Sequence, residues 1–214
     1  MFDYIFFDLD GTLTDPAVGI TSACAYALDK FGITIKDKST LNKHIGPPLH
    51  GSFMEFHGFT YDQATDAVKY YREYYSTRGL FENVIYDGTV DMLETLKKAG
   101  KTLVVATSKP ELYTNEILEH FGLDGYFTLV SGAGFTPESA VKSKIIARAI
   151  DTLKITDKSK IIMIGDREHD VLGAKENGLK SIGVLYGYGD KNELEKAGAD
   201  YIAKDCKDIL KIIL

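Results

Sequence analysis

Cysteine is scarce in this 214-residue chain: there are two, Cys24 and Cys206, far apart and in no Cys-x-x-Cys spacing. That excludes a disulfide framework and a thiolate zinc site, and it suits a reducing compartment. Basic clusters are missing too. The formal net charge is −6, and no basic run is longer than the Lys97-Lys98 pair. A nucleic-acid duplex needs a group of cations to displace its counterions, so polymeric nucleic acid is not an expected partner. A small anionic substrate is compatible, because a site can be locally positive in an acidic protein. Proline is sparse, at 5 residues, and 44% hydrophobic with 26% charged residues argues against disorder. No apolar run approaches membrane-spanning length. The opening residues, Met1 to Asp8, carry acids among apolar side chains rather than a basic leader. A cytoplasmic protein without a membrane partner is expected.

The length points to one compact core with a smaller insertion. Short apolar, β-rich runs occur at Tyr4–Phe7, Thr102–Ala106, Phe127–Val130, Ile161–Ile164 and Ser181–Leu185. All but the third are nearly continuous, as strands buried on both faces of a parallel sheet should be. Helical patterns lie between them. Pro110 opens one after Lys109 and Gly122 closes it, while Asn177-Gly178 closes the one that follows Asp166. Alternating strands and helices predict an α/β fold with a doubly wound parallel sheet.

One connection is abnormal. The stretch from Asp8 to Thr102 far exceeds the dozen or so residues plus helix that a crossover needs. Residues 16–83 read as almost all helix. One helix is expected from Pro16 to Phe31, with Asp15 as N-cap and Gly32 as its stop. Thr60 is placed to cap another from Tyr61 to Ser76. Tyr61, Ala64, Val68, Tyr71 and Tyr75 share one face of it, a pattern that means packing more often than a cofactor box. The expected division is a core of residues 1–15 and 84–214 with a small helical domain of residues 16–83. No internal repeat is visible.

The most informative stretch runs from Phe7 through Asp8, Leu9, Asp10, Gly11 and Thr12 to Asp15. It begins where a buried strand ends, which is where open α/β sheets place ligands. Two carboxylates so close repel by roughly 4 kcal/mol at 4 Å and an effective dielectric near 20. A cation between them removes that cost, and hard oxygen donors suit Mg2+. A second acidic tip follows Ile161–Ile164: Gly165, Asp166, Arg167, Glu168, His169, Asp170. Asp166 can reach the same cation, and Asp170 faces the same side one helical turn on. Helix capping accounts for one of these acids, because a helix N-terminus favours negative charge. It does not call for two acid-bearing strand tips. At a third tip, Thr107 and Ser108 precede a helix N-terminus, where hydroxyl and backbone N–H donors can cradle a phosphate. Lys142 and Lys144 are the candidate cations before Ile161. His44, His50 and His57 show no convincing metal-ligand spacing.

In order, Asp8-Leu9-Asp10-Gly11-Thr12, Thr107, a lysine, and Gly165-Asp166 with Asp170 resemble the four motifs of the haloacid dehalogenase superfamily. The resemblance spans nearly the whole chain. The insertion between the first two motifs, and its His44-Ile45-Gly46-Pro47-Pro48-Leu49 segment, resemble the helical cap of the phosphoglycolate-phosphatase-like group. The resemblance implies that Asp8 is nucleophile and metal ligand. It makes Asp10 the general acid/base, with its backbone carbonyl on the metal. Thr107 would hold the phosphoryl group with Ser108 beside it, and Gly11 and Thr12 would line the phosphate. Lys142 would be the third-motif lysine with Lys144 as fallback, Asp166 a Mg2+ ligand and Asp170 a support. Two departures stand out: Val141-Lys142-Ser143-Lys144 replaces a common Lys-Pro-x-Pro run, and Thr107-Ser108-Lys109 replaces Thr-Asn-Lys.

The implied activity is hydrolysis of a small phosphorylated metabolite, phosphoglycolate or a nucleoside 5′-monophosphate, by a monomer or weak homodimer. The cap would close over the site and exclude water. The alternatives are a phosphosugar mutase and a receiver-like signalling module phosphorylated on Asp8. Asp10 argues against a dehalogenase, which has no alkoxide to protonate. The absence of spans argues against an ion-pumping ATPase.

Overall fold

Ile5, Phe6 and Phe7 are wholly buried, and Tyr4–Phe7 forms the innermost strand of the sheet. The computed structural model describes residues 1–214, the side chain of Pro137 excepted. Its strands are β1 (Tyr4–Phe7), β2 (Thr14–Asp15), β3 (Val84–Ile85), β4 (Thr102–Pro110), β5 (Leu129–Ala133), β6 (Ile161–Gly165), β7 (Lys180–Val184) and β8 (Tyr201–Ala203). The α-helices are α1 (Ala17–Asp29), α2 (Leu49–His57), α3 (Tyr61–Tyr74), α4 (Thr89–Lys98), α5 (Glu111–His120), α6 (Lys142–Thr152), α7 (Glu168–Glu176), α8 (Lys191–Ala197) and α9 (Cys206–Ile213). Two compact units result: Met1–Asp15 with Ile85–Leu214, and Pro16–Val84.

The first unit is a six-stranded parallel sheet, order β5-β4-β1-β6-β7-β8, flanked by helices. The doubly wound α/β fold is therefore present. Phe6, Val104, Ile146, Ile161 and Met163 pack into one cluster that seats α6 on the sheet. Phe7 lies opposite Val105 on one side and Ile164 on the other. The tips of β4, β1 and β6 therefore end side by side, and the residues that follow them meet.

Two expectations shift. The third run does not pair at Phe127; a tight turn at Asp124–Tyr126 delays the strand to Leu129–Ala133. Phe127 instead sets its ring edge-on to Phe7, at 6.3 Å between centroids. Strand β8 is three residues long, too short for an alternation pattern to reveal.

The second unit is helical. Thr60 and Gln63 form a reciprocal capping box, so α3 starts where the sequence places it. It stops at Tyr74 rather than Ser76, because Tyr75–Gly79 winds into a π-helical turn. Ala64, Tyr71 and Tyr75 are buried, whereas Tyr61 is exposed and meets His50, with ring centroids 4.5 Å apart. Helix α1 starts at Ala17 without a side-chain cap. Asp15 does not cap it, because its carboxylate accepts the phenol proton of Tyr188 in the first unit. Gly19 packs α1 backbone-to-backbone on the π turn: a Cβ there would lie 2.0 Å from the Gly79 carbonyl oxygen.

The histidines of this unit are not independent. His44 is buried among Phe53 and Phe56, and its Nε2 lies 3.0 Å from Nε2 of His57. Burial, then the charges of His57 and Lys43, holds His44 down at about 3. The unfolded chain takes up that proton near 6.5, so the stability is present above about pH 6.5 and is lost as pH falls toward the folded value. Between pH 7 and pH 5 the loss from this residue is about 2 kcal/mol. In urea unfolding followed by helical circular dichroism, the midpoint should fall over that interval, and His44→Phe should flatten the dependence. Equal pH dependence in the two proteins would exclude His44 as its source.

Candidate active site

Asp8 is the first residue beyond β1, and its N–H donates to the Ile164 carbonyl at 2.9 Å, tying the tip of β1 to β6. The chain then doubles back at Gly11, with φ +82°. A side chain is impossible there on two counts: the left-handed backbone, and a Cβ that would sit 2.2 Å from Asp166 Oδ2. Gly11 N–H donates to the Thr14 carbonyl and Thr12 N–H to the Leu9 carbonyl, so these amides serve the turn. The Thr12 hydroxyl is buried without a hydrogen-bond partner.

Asp8, Asp166 and Asp170 are all buried, and one carboxylate oxygen of each lies within 4.8 Å of the others. Lys142, at the start of α6, answers them. Its Nζ is 2.8 Å from Asp8 Oδ1 and 2.8 Å from Asp170 Oδ1, and it donates to the Ala106 carbonyl at 3.1 Å. Burial disfavours the ammonium, but the Asp170 and Asp8 carboxylates outweigh it and raise the Lys142 pKa. Lys144 is exposed and takes no part. Asp170 also accepts the Arg167 N–H on Oδ2, at 3.2 Å, so it caps α7 and pairs with the lysine at once. Burial, opposed by Lys142 and reinforced by Asp8, pushes its carboxyl up to about 6.

Asp166 is held differently. Its Oδ2 accepts the Tyr188 N–H at 2.8 Å, while Oδ1 is buried with no hydrogen-bond partner. Burial and then the Asp170 and Asp8 charges push this carboxyl well above the usual range. An orphaned buried oxygen, in a cluster with more carboxylates than ammonium groups, is the environment a divalent cation relieves. The donors are hard oxygens, so the residues present fit Mg2+.

At the tip of β4, Thr107 is buried and its Oγ1 accepts the Lys109 N–H at 3.3 Å. Ser108 turns the other way, donating its hydroxyl to the Ala140 carbonyl at 2.9 Å. Lys109 is buried, with Nζ 2.5 Å from Asp10 Oδ2. Burial raises the Asp10 pKa, and Lys109 opposes the rise without cancelling it.

Sequence reasoning missed Lys109 as a site residue, and missed the segment after β7 as well. Tyr186 donates its phenol to the Thr12 carbonyl at 3.0 Å, and Tyr188 supplies the amide to Asp166 and the phenol to Asp15. The intervening Gly187 approaches so closely that a Cβ would stand 2.3 Å from the Gly11 carbonyl oxygen and 2.4 Å from Asp166 Cβ. Residues 185–189 thus strap the Asp8–Asp15 loop to Asp166. The one signal in the sequence is glycine alternating with tyrosine beyond a buried strand, which marks close backbone approach.

With that arrangement in view, comparison with known proteins is decisive about kinship. The sequence pattern of the haloacid dehalogenase-like hydrolases matches residues 5–184. The chain is 40% identical over 209 residues to a 5′-nucleotidase of Pseudomonas aeruginosa, covering 98% of this chain and 94% of that one. It is 35% identical over 198 residues to the tyrosine-protein kinase PtkA of Mycobacterium tuberculosis, covering 92% and 67%. Among solved structures, a predicted phosphatase from Clostridium acetobutylicum superposes with a TM-score of 0.95 at 47% identity, covering 100% of this chain and 98% of that one. The chain belongs to the haloacid dehalogenase-like hydrolase family. It is an enzyme of the phosphatase class. Among the described residues, no helix is long and apolar enough to cross a membrane.

Proposed function

We propose that this chain is a Mg2+-dependent phosphomonoester hydrolase that works through an aspartyl-phosphate on Asp8. The observation that carries the reading is the buried cluster of Asp8, Asp166 and Asp170 around Lys142 at adjacent strand tips. An unpaired oxygen on Asp166 and a second carboxylate, Asp10, two residues from Asp8, complete it. Asp8, Asp166 and the Asp10 carbonyl would hold the ion, with Asp170 behind them. Bound there, Mg2+ supplies charge neutralisation between a phosphate dianion and the carboxylates.

The chain's own residues do the rest. Lys142 and Thr107 hold the phosphoryl oxygens, where charge spreads in the transition state. Asp8 attacks phosphorus in line; the Asp8–phosphorus bond forms as the ester bond breaks. Asp10 gives its proton to the leaving alkoxide, so the alcohol departs neutral. The resulting Asp10 carboxylate then takes a proton from the water that attacks the aspartyl-phosphate, and inorganic phosphate leaves with Asp8 restored. Burial raises the Asp10 pKa in the direction that this double duty needs.

The similarity to a 5′-nucleotidase puts nucleoside 5′-monophosphates first among candidate substrates, with phosphoglycolate next. The test is inorganic phosphate release from a panel of both kinds, with Mg2+ and with a chelator. Chelator-sensitive release is the expected result, and the best panel member names the substrate class. Release from no compound overturns the reading, and isomerisation of a phosphosugar without net release would put a mutase in its place.

A further inference from the structure

The Asp10 carboxyl is not left to find its own orientation. Its Oδ2 is engaged by Lys109 Nζ at 2.5 Å, both side chains are buried, and its Oδ1 has no hydrogen-bond partner. The lysine comes from the tip of β4, two residues beyond Thr107, and its backbone N–H is itself donated to the Thr107 hydroxyl oxygen. One short segment therefore fixes the angle of the Asp10 carboxyl and steadies Thr107.

From this geometry we infer that Lys109 is a positioning residue, anchoring Oδ2 of Asp10 so that Oδ1 is the oxygen that exchanges a proton with the leaving group. The inference rests on the phosphatase reading above. In the first transfer the Asp8–phosphorus bond forms, the ester bond breaks, and the Asp10 proton goes to the departing oxygen. Without the anchor the carboxyl rotates, and that proton is no longer aimed.

A misaimed acid has a signature that loss of packing lacks. An alkoxide such as the 5′-oxygen of a nucleoside is a poor leaving group and requires the proton. A p-nitrophenolate is stable as an anion and does not. The experiment is kcat/KM, which reports the first transfer, for adenosine 5′-monophosphate and p-nitrophenyl phosphate in wild type, Lys109→Met, Asp10→Asn and the double variant. Lys109→Met should lower the nucleotide value by about 100-fold or more, in the range general acids contribute, and the aryl value by less than about tenfold. The ratio between substrates within one sample does not depend on the fraction folded. Placed on Asp10→Asn, the lysine change should cause no further loss with the nucleotide, because an anchor without its acid has nothing to aim. The double variant removes both charges of this buried pair and strands neither, so it reports even where Lys109→Met folds poorly.

Equal losses on both substrates would overturn the proposal and make Lys109 a phosphate contact or a structural ion. A further loss in the double variant would overturn it as well. Wild type that hydrolyses neither compound nor any other member of the phosphate-release panel would overturn the phosphatase reading and this inference together. Wild-type hydrolysis with an unchanged ratio in Lys109→Met would overturn this inference alone.

Discussion

Asp8→Asn should lower phosphate release by at least about 10⁴-fold while leaving the fold intact. An amide keeps the shape of the side chain but is a poor nucleophile, and it removes one of the charges facing Asp166 and Asp170. Lys142 retains Asp170 at 2.8 Å and the Ala106 carbonyl at 3.1 Å, so the buried ammonium stays paired. Loss of turnover is therefore expected together with unchanged or raised stability, a combination that separates chemistry from folding. Acid-quenched wild type incubated with labelled substrate should carry phosphate on the protein, and the variant should carry none. Turnover within tenfold of wild type would remove Asp8 from the role of nucleophile.

Lys142→Met should produce the largest change in stability. The ammonium is the common partner of Asp8 and Asp170, and it lies on the carbonyl that closes the β4 tip. Removing one partner of a buried ionic cluster leaves charges that are neither solvated nor compensated, which costs about 3–5 kcal/mol. Equilibrium urea unfolding should show that loss as a lower midpoint. Adding Asp170→Asn should recover part of it by removing one of the stranded carboxylates. A loss below about 1 kcal/mol would mean that the cluster sheds its charge by protonation instead. Activity should vanish in either variant under the proposed mechanism, in which Lys142 holds the phosphoryl oxygens.

Much of the site was legible because it breaks local rules. Asp8-Leu9-Asp10-Gly11 at the end of a wholly apolar strand is a poor turn and a costly charge arrangement, and such conflicts concentrate at functional positions. Lys142 and Lys144 could not be separated in this way. They are two residues apart on a helix, point in different directions, and only packing shows which is buried. Asp15 misled for the opposite reason: an acid before a proline is a good local cap, yet a phenol far along the chain took its oxygen. Lys109 was invisible because a lysine beyond a strand reads as solvated until its partner is seen. The strap at Tyr186–Tyr188 acts through two phenols and a backbone amide, and sequence does not show which distant carbonyl or carboxylate each of them meets.

The central place of β1 also governs the order in which the molecule can be made. Its partners are Thr102–Val105 and Ile161–Ile164, both later in the chain, so β1 waits until residue 164 has been made before it can pair on both sides. Residues 16–84 are contiguous and make their contacts locally, so they can fold while that wait continues. Pairings so distant in sequence are slow, and until they form the Ile5-Phe6-Phe7 run stays open to other hydrophobic surfaces. Asp8, synthesised before either partner strand, is among the last of the site residues to reach its final surroundings. A nascent chain cut short before β6 thus carries Asp8 but no site.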